Sequence, residues 1–220
     1  MKQKVLALIA GLAFSALSHA SIITFTGGTV HRHSGGDVVT NNTSNYNDVA
    51  RYEEAGFRVD FVGGNGFASN IGNYYGVGKD VIHGHWASGH FGGLTRIVFT
   101  KIDGSAFDLN YFVLTSNTAF GGGRADGTER AYVHASMDGV TASYSQLLPS
   151  EDWGFPATQV FLGNQFDGIK SFWFDVSSPV DCFGMDSFYI DQPAPGVPEP
   201  SSIALAGLAL LALGAKRRRA

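Results

Sequence analysis

The sequence predicts an all-β fold, a single jelly-roll-like β-sandwich between two terminal segments that are not part of it. The 220-residue chain has 29 Gly and 17 Phe residues but only 7 Pro residues. Short segments of alternating apolar and polar residues are separated by Gly and Asp, as in strands joined by turns. Between the terminal segments, no stretch of about 12 residues has the apolar spacing of a helix. About eight short antiparallel strands favour a sandwich over a barrel.

The strands follow from this alternation, and two turn dipeptides predict which of them form hairpins. Asp103-Gly104 and Asp138-Gly139 each lie between two predicted strands, so each is expected to close a β-hairpin. The order of the strands in the sheets does not follow from these local patterns. The predicted strands are residues 22–25, 57–62, 95–100, 106–114, 130–136, 141–147, 168–176 and 183–190.

The N-terminal segment, residues 1–20, has the form of a signal peptide. Two lysines precede an apolar run over residues 5–17, and Ser18 and Ala20 are the small residues that signal peptidase reads. We expect cleavage after Ala20. The β-sandwich domain then spans residues 21–192.

The C-terminal segment, residues 193–220, has three parts in a fixed order. Pro198-Glu199-Pro200 is followed by an apolar stretch over residues 203–215 and by a basic cluster at 216–219. As a helix the apolar stretch would rise about 20 Å, against about 30 Å of bilayer hydrocarbon. This length suits a short, processable transmembrane helix with the basic cluster on the cytoplasmic side.

These three parts resemble the PEP-CTERM sorting signal of Gram-negative bacteria, which an exosortase recognises. The resemblance covers only this segment. It implies export, transient anchoring in the inner membrane, and processing near the Pro-Glu-Pro motif. It also implies a destination at the cell surface or in an extracellular, exopolysaccharide-rich biofilm matrix, but no chemistry. A tail-anchored protein with a cryptic span is the alternative.

Removal of both terminal segments would make the mature protein acidic. The precursor has 15 basic and 19 acidic residues, and six of the basic residues lie in the two terminal segments. The mature protein therefore has 9 basic and 19 acidic residues, a net charge of −10 if Glu199 is retained. Nucleic-acid binding needs clustered Lys and Arg, so no nucleic-acid partner is expected. Solubility outside the cell or cation binding fits this charge better.

The central domain is itself similar to the β-sandwich domain often found upstream of a PEP-CTERM tail. The motifs that carry the resemblance are Gly56-Phe57, the Asp-Gly-x-x-Phe-Asp-Leu segment at residues 103–109, and Phe183-x-x-Asp186. The resemblance implies a jelly roll of the kind that carbohydrate-binding modules use, without a fixed ligand.

Trp173 is the first candidate for contact with a sugar. Alternation puts Phe172, Phe174 and Val176 on one face of their strand and Trp173 on the other. A core of phenylalanines would leave Trp173 exposed, as a platform on which a sugar ring stacks. The alternative is that a loop covers it.

Four further aromatic residues are expected in loops, where they could bind polysaccharide. They are Tyr74, Tyr75, Trp86 and Trp153, and Trp153 directly follows Glu151-Asp152. Loop aromatics beside glycines and carboxylates suit glycan binding, since loops carry much of protein function. Packing is the alternative for each of them.

Three histidines, His83, His85 and His90, lie in one Gly-rich segment. A spacing of two puts His83 and His85 on the same face of an extended chain, and a loop could bring His90 to them. Such a set could hold Zn or Cu. The alternative is a group of surface or hydrogen-bonding histidines. Cys182, the only cysteine, is expected to be a small buried hydrophobe, and a reactive or pairing thiol is the alternative.

The jelly-roll resemblance also implies a structural calcium ion, held by carboxylates and carbonyls that tie the terminal strands together. Asp186 in the last strand matches the family position most nearly, and Asp108 or Asp191 would assist. A hydrogen bond from the backbone to Asp186 is the alternative. No other cofactor is expected.

The expected function is binding or scaffolding of exopolysaccharide by an exported protein that is not an enzyme. The adjacent carboxylates Glu53-Glu54 and Glu151-Asp152 point to opposite sides of an extended chain, which does not suit a glycosidase. The sequence has no Gly-x-Ser-x-Gly elbow and no P-loop. A structural matrix protein without a small ligand is the main alternative, and a glycan-active hydrolase is the other.

Overall fold

The structure, a computed structural model, describes residues 20–86, 92–177 and 179–192. These residues form two antiparallel sheets that pack face to face, which confirms the predicted all-β sandwich. The strands are β1 (Ser21–Ile23), β2 (Thr29–Arg32), β3 (Asp37–Val39), β4 (Asn45–Asn47), β5 (Val49–Glu54), β6 (Phe57–Val62), β7 (Ser69–Gly72), β8 (Val81–His85), β9 (Arg96–Lys101), β10 (Leu109–Thr118), β11 (Ala131–Ser136), β12 (Tyr144–Leu147), β13 (Thr158–Phe161), β14 (Ser171–Val176) and β15 (Cys182–Ile190).

The chain passes between the two sheets several times. The first sheet has the order β13-β10-β15-β8-β7-β4, with β1 also paired to β15, and the second has the order β12-β11-β14-β9-β6-β5-β2-β3. Consecutive strands such as β9 and β10, or β14 and β15, therefore lie in opposite sheets. Such crossing is typical of a jelly-roll-like sandwich.

Alternation decides which side of each strand faces the core. In β6, Phe57, Val59 and Phe61 are buried, while Arg58 and Val62 are exposed. The predicted strand at residues 57–62 coincides with β6. A period of two is what an antiparallel strand with one buried face requires.

Phenylalanines from both sheets meet in the core. Phe99 and Phe172 of the second sheet stack with centroids 4.4 Å apart. Phe112 and Phe188 of the first sheet stack 5.3 Å apart, and Phe188 lies 4.6 Å from Phe99. All four side chains are fully buried. Their contacts bury apolar area between the sheets, which is the main stabilising contribution to such a fold.

One predicted hairpin is confirmed and the other is wrong. β11 and β12 pair around Asp138-Gly139, as predicted. β9 and β10 do not pair, although Gly104 makes the expected turn with a positive φ of 70°. After this turn the chain leaves the second sheet, buries Phe107 and bridges to Ile169. The turn at Asp103-Gly104 thus forms as predicted. The strand after it joins the opposite sheet, because Phe107 packs in the core.

The outer face of the first sheet carries the candidate site. β8 and β15 lie side by side there, and the segments after β7 and after β12 cover them. Within the described ranges no helix is long and apolar enough to cross a membrane. The predicted transmembrane helix and most of the signal peptide lie outside these ranges.

Candidate functional site

β8 places two histidines on the outer face of the first sheet. His83 and His85 alternate with Ile82 and Gly84, which face the core. His83 is fully buried and His85 is only 4% exposed. Burial, and then the neighbouring His85, lowers the pKa of His83 well below its ordinary value. The imidazole of His83 is therefore neutral, which is the form that binds metals.

Strand pairing brings Cys182 to the same place from the far end of the chain. Cys182 on β15 lies opposite His85 on β8, with Sγ 3.6 Å from Nδ1. The donor atoms of His83, His85 and Cys182 lie within 4.8 Å of one another. Burial, and then Asp181, raises the pKa of the Cys182 thiol to about 12. The expected burial of Cys182 is confirmed, but its place beside two histidines was not predicted.

Tyr74 and Tyr75 close over the two imidazoles. The ring of Tyr74 stacks on His83 with centroids 4.1 Å apart, and its hydroxyl lies 3.2 Å from Nε2 of His85. The hydroxyl of Tyr75 lies 3.1 Å from Nδ1 of His83. Burial raises the pKa of Tyr74 to about 12 and raises the pKa of Tyr75 as well. Both hydroxyls therefore remain neutral hydrogen-bonding groups.

Trp153 lies half-buried at the edge of this aromatic cluster. Its ring centroid is 5.6 Å from that of Tyr74, 5.1 Å from that of Tyr75 and 4.7 Å from that of His83. The structure thus brings together three of the four predicted loop aromatics, and it places the two histidines beneath them. Edge-on contacts of this kind hold an indole in one orientation.

Trp153 also lines a cleft of about 460 Å³, a volume within the range of small-ligand sites. Two carboxylates line the same cleft, those of Glu151 and Asp152, and the carboxylate of Asp152 accepts a hydrogen bond from the amide of Ala125 at 2.9 Å. Burial raises the pKa of Glu151. The remaining lining residues include Gly122, Gly123, Arg124, Ser150, Phe155 and Pro156.

The predicted platform at Trp173 is wrong. Trp173 does point away from the core, but it is only 5% exposed. The imidazole of His134 stacks on the indole from β11, with centroids 5.2 Å apart and planes 20° apart. The guanidinium of Arg96 on β9 lies 5.1 Å from the same ring. Side chains of the two flanking strands, rather than a loop, cover this tryptophan.

Trp86 is not an open loop aromatic either. It follows β8 directly, so the alternation of that strand turns it toward the core, where it is 1% exposed. Its ring packs 5.8 Å from that of Phe183. His90, the third predicted metal ligand, lies outside the described residues.

The two predicted calcium ligands are not brought together. Asp186 lies in the middle of β15, where Ser187 donates a hydrogen bond to it and the Lys79 ammonium lies 3.6 Å away. Asp108 precedes β10 and accepts a hydrogen bond from the amide of Gly168 at 2.7 Å. Asp191 is beside Asp108, since its carboxylate accepts the Asp108 amide at 2.8 Å. The expected set therefore splits into two separate hydrogen-bonded groups.

The predicted processing sites fall at the ends of the described chain. Ala20 is exposed and directly precedes β1. Cleavage after it stays a prediction. Pro198, Glu199 and Pro200 lie outside the described residues.

The outer face of the first sheet also carries an apolar row that the sequence analysis did not predict. Ile22, Tyr189, Tyr111 and Phe161 stand opposite one another on four neighbouring strands. Tyr111 and Tyr189 stack with centroids 4.0 Å apart, and Phe161 lies 5.2 Å from Tyr111. Alternation could place each residue outward, but only the strand order aligns them.

Fold and tail together define a class: an all-β sandwich domain that carries a C-terminal sorting signal. The family model of the PEP-CTERM protein-sorting motif matches residues 196–219. The match confirms the C-terminal sorting signal that the Pro-Glu-Pro motif and its neighbours predict. The motif implies an exported, transiently membrane-anchored protein that an exosortase processes. No curated protein matches the chain.

Two solved structures are distantly similar. One is a cleaved adhesin domain of Lys-gingipain from Porphyromonas gingivalis, with 16% identity, a TM-score of 0.40, and coverage of 78% of this chain and 96% of that one. The other is the F5/8 type C domain of a Bacteroides fragilis protein, with 13% identity, a TM-score of 0.37, and coverage of 52% of this chain and 75% of that one. At this distance the two structures do not indicate a ligand.

Proposed function

We propose that this exported protein binds polysaccharide through the cleft beside Trp153. The observation that carries the proposal is the position of Trp153 itself. The indole is half-buried, lines the cleft, and is held by edge-on contacts with Tyr74 and Tyr75. A fixed, partly exposed indole can receive the C–H face of a sugar ring without losing side-chain freedom on binding.

The other residues of the cleft supply polar groups for sugar hydroxyls. Arg124 and Asp152 are exposed, and Gly122 and Gly123 also line the cleft. Arg124 donates hydrogen bonds and Asp152 accepts them, so both kinds of hydroxyl contact are available. A glycan site typically combines an aromatic ring with such a small set of polar groups.

The charge of the mature chain indicates which polysaccharides it can bind. A net charge of −10 after processing repels strongly anionic chains. We therefore expect a neutral or amino-sugar polysaccharide rather than a highly sulfated or uronic one. Exosortase-dependent export would bring the domain to a surface where such polymers accumulate.

Affinity electrophoresis of the exported protein in gels that contain neutral, cationic or anionic polysaccharides tests this proposal. Wild type is expected to be retarded by a neutral or amino-sugar polymer. Trp153→Ala is expected to weaken binding about tenfold or more, because burying one large aromatic side chain contributes about 1.5–3 kcal/mol. Trp153→Phe should lie between the two.

Tyr144→Ala is the matched control, since Tyr144 is a 39% exposed aromatic residue on β12 of the opposite sheet. It should bind as wild type does. If retardation survives Trp153→Ala but is lost in Phe161→Ala, the apolar row on the first sheet is the binding face and the cleft is not. If no polysaccharide retards the wild type, the protein is a matrix component without a glycan ligand.

A further inference from the structure

His83, His85 and Cys182 present three potential metal donors in one buried place. Their ligand atoms lie within 4.8 Å of one another, and Sγ of Cys182 is 3.6 Å from Nδ1 of His85. Tetrahedral coordination at about 2.0–2.3 Å puts neighbouring donor atoms roughly 3.5 Å apart. Among the residues that the structure describes, this is the one group of three His, Cys, Asp or Glu side chains so placed. A small inward movement would complete the geometry.

The outward nitrogens of both imidazoles already have partners. Nδ1 of His83 lies 3.1 Å from the Tyr75 hydroxyl, and Nε2 of His85 lies 3.2 Å from the Tyr74 hydroxyl. Metal-bound histidines almost always hold their second ring nitrogen in such a hydrogen bond, which fixes the tautomer and the ring. An ion would therefore contact Nε2 of His83 and Nδ1 of His85, the second of which faces Cys182 and Asp181.

Nε2 of His83 is the observation that a plain hydrogen-bonded cluster does not explain. His83 is fully buried, and this nitrogen has no hydrogen-bond partner among the described residues. A buried polar atom without a partner carries the whole cost of its desolvation. A metal ion would satisfy it, whereas the weak hydrogen bond between Cys182 and His85 leaves it unmet.

We propose that His83, His85 and Cys182 bind a structural Zn²⁺ ion. Two imidazoles and a thiolate are the ligand types that zinc prefers. The carboxylate of Asp181 lies 3.6 Å from Nδ1 of the same His85. With the Cys182 thiolate it balances the two positive charges of the ion, which matters in a buried site. Zinc displaces the proton of a coordinating thiol.

The site is structural rather than catalytic, because aromatic rings cover it. Tyr74 stacks on His83 with centroids 4.1 Å apart, and Trp153 packs 4.7 Å from the same imidazole. The ion would tie β8 to β15 and fix the two tyrosines on which Trp153 rests. The zinc site does not depend on polysaccharide binding, so the protein could bind zinc without binding a polysaccharide.

Metal analysis of the protein in the form that its host exports, purified without chelators, is the first step. We expect one zinc per chain. After chelation, added Co²⁺ should give a thiolate-to-cobalt charge-transfer band, and Zn²⁺ should abolish the band by displacement. Added Zn²⁺ should also raise the thermal midpoint of the metal-free protein.

Cys182→Ser should lose the charge-transfer band. Its zinc affinity should fall by more than about 100-fold, because loss of a hydrogen-bond partner of a ligand already costs about 10–100-fold and this variant loses a ligand itself. Tyr74→Phe keeps all three ligands but removes the hydrogen bond to His85, so we expect about tenfold weaker zinc binding with the band retained. Tyr74→Phe still tests the site if Cys182→Ser does not fold. His134→Gln is the matched control, since His134 lies on the other sheet, and it should bind zinc as wild type does.

Absence of zinc together with absence of a cobalt band in wild type would overturn the proposal. A band that persists in Cys182→Ser would overturn the assignment of the thiolate. Binding of Cu⁺ with no binding of Zn²⁺ would overturn the assignment of the ion.

Discussion

Tyr75 reaches His83 because residue 184 is a glycine. The hydroxyl of Tyr75 occupies the space where a side chain at position 184 would begin, and a Cβ there would also lie 2.7 Å from Oγ1 of Thr115. Tyr75 donates a hydrogen bond to Ser116 and lies 3.2 Å from the Thr115 hydroxyl. Cys182 lies two residues before Gly184 on β15, so both residues are on the same face of the sheet. One glycine thus positions the tyrosine that orients His83.

Gly184→Ala is therefore expected to destabilise the protein. The added methyl group would displace the Tyr75 hydroxyl, and overpacking of this kind costs about 1–3 kcal/mol. Gly121→Ala is the control, because its Cβ would make only ordinary contacts, 3.4 Å from Cys182 and Trp153. Urea denaturation measures both free energies of unfolding. Equal stability of Gly184→Ala and wild type would show that Tyr75 does not occupy this space.

Trp173 is expected to contribute to stability and not to polysaccharide binding. It is 5% exposed beneath His134 and Arg96. Truncation of a buried Trp to Ala costs about 3–5 kcal/mol. Denaturation should show this loss, while affinity electrophoresis at low temperature should show wild-type retardation of Trp173→Ala. Weaker polysaccharide binding by a fully folded Trp173→Ala variant would contradict this prediction and indicate that Trp173 contacts the ligand.

Glu129 should make stability depend on pH in the acid range. Burial raises the pKa of its carboxyl, but hydrogen bonds from the Ser150 hydroxyl and the amides of Asp126 and Gly127 outweigh it, so the pKa is lowered on balance. The folded state then binds the proton less tightly than the unfolded state. The stabilisation is complete above the ordinary glutamate pKa of about 4.3 and is lost as the pH falls through the lowered value.

Glu129→Gln isolates this contribution. At pH 7 the substitution should cost about 2 kcal/mol, since hydrogen bonds to a charged group contribute about 1.5–3 kcal/mol. The difference between wild type and variant should shrink as the pH falls below about 4. Urea denaturation at a series of pH values measures it. A difference that grows toward low pH would contradict the sign of the pKa shift.

Calcium should have little effect on the wild-type protein. Lys79 already places a positive charge 3.6 Å from the Asp186 carboxylate, and Asp108 belongs to a different group. Calcium would have to displace this ammonium. We expect Ca²⁺ to leave the thermal midpoint unchanged both in wild type and in Lys79→Ala, because one carboxylate does not supply the several oxygen ligands that calcium takes. A calcium-dependent rise in wild type would restore Asp186 as a calcium ligand.

Local patterns predicted the parts of the fold that local interactions determine. Alternation alone gives the buried face of β6, and the Asp138-Gly139 turn gives the hairpin of β11 and β12. The turn at Asp103-Gly104 has the same local signal, but its flanking strands join different sheets. What separates the two cases is the burial of Phe107 in the core, which depends on residues far away in sequence.

The candidate site was predictable only in part, for the same reason. The spacing of His83 and His85 correctly gave a shared face, because two residues apart is local geometry. Cys182 stands opposite His85 through the pairing of β8 and β15, 97 residues apart in sequence. The cover over Trp173 likewise comes from flanking strands that alternation within β14 does not reveal.

The most direct test of the account is the intact mass and the location of the protein in its host, with an exosortase-disabled strain beside it. We predict loss of residues 1–20 and of the segment beyond Pro200, and recovery outside the cell with polysaccharide only when the exosortase works. An unprocessed tail embedded in the inner membrane of both strains would contradict it. The polysaccharide proposal would then lose the export on which it depends.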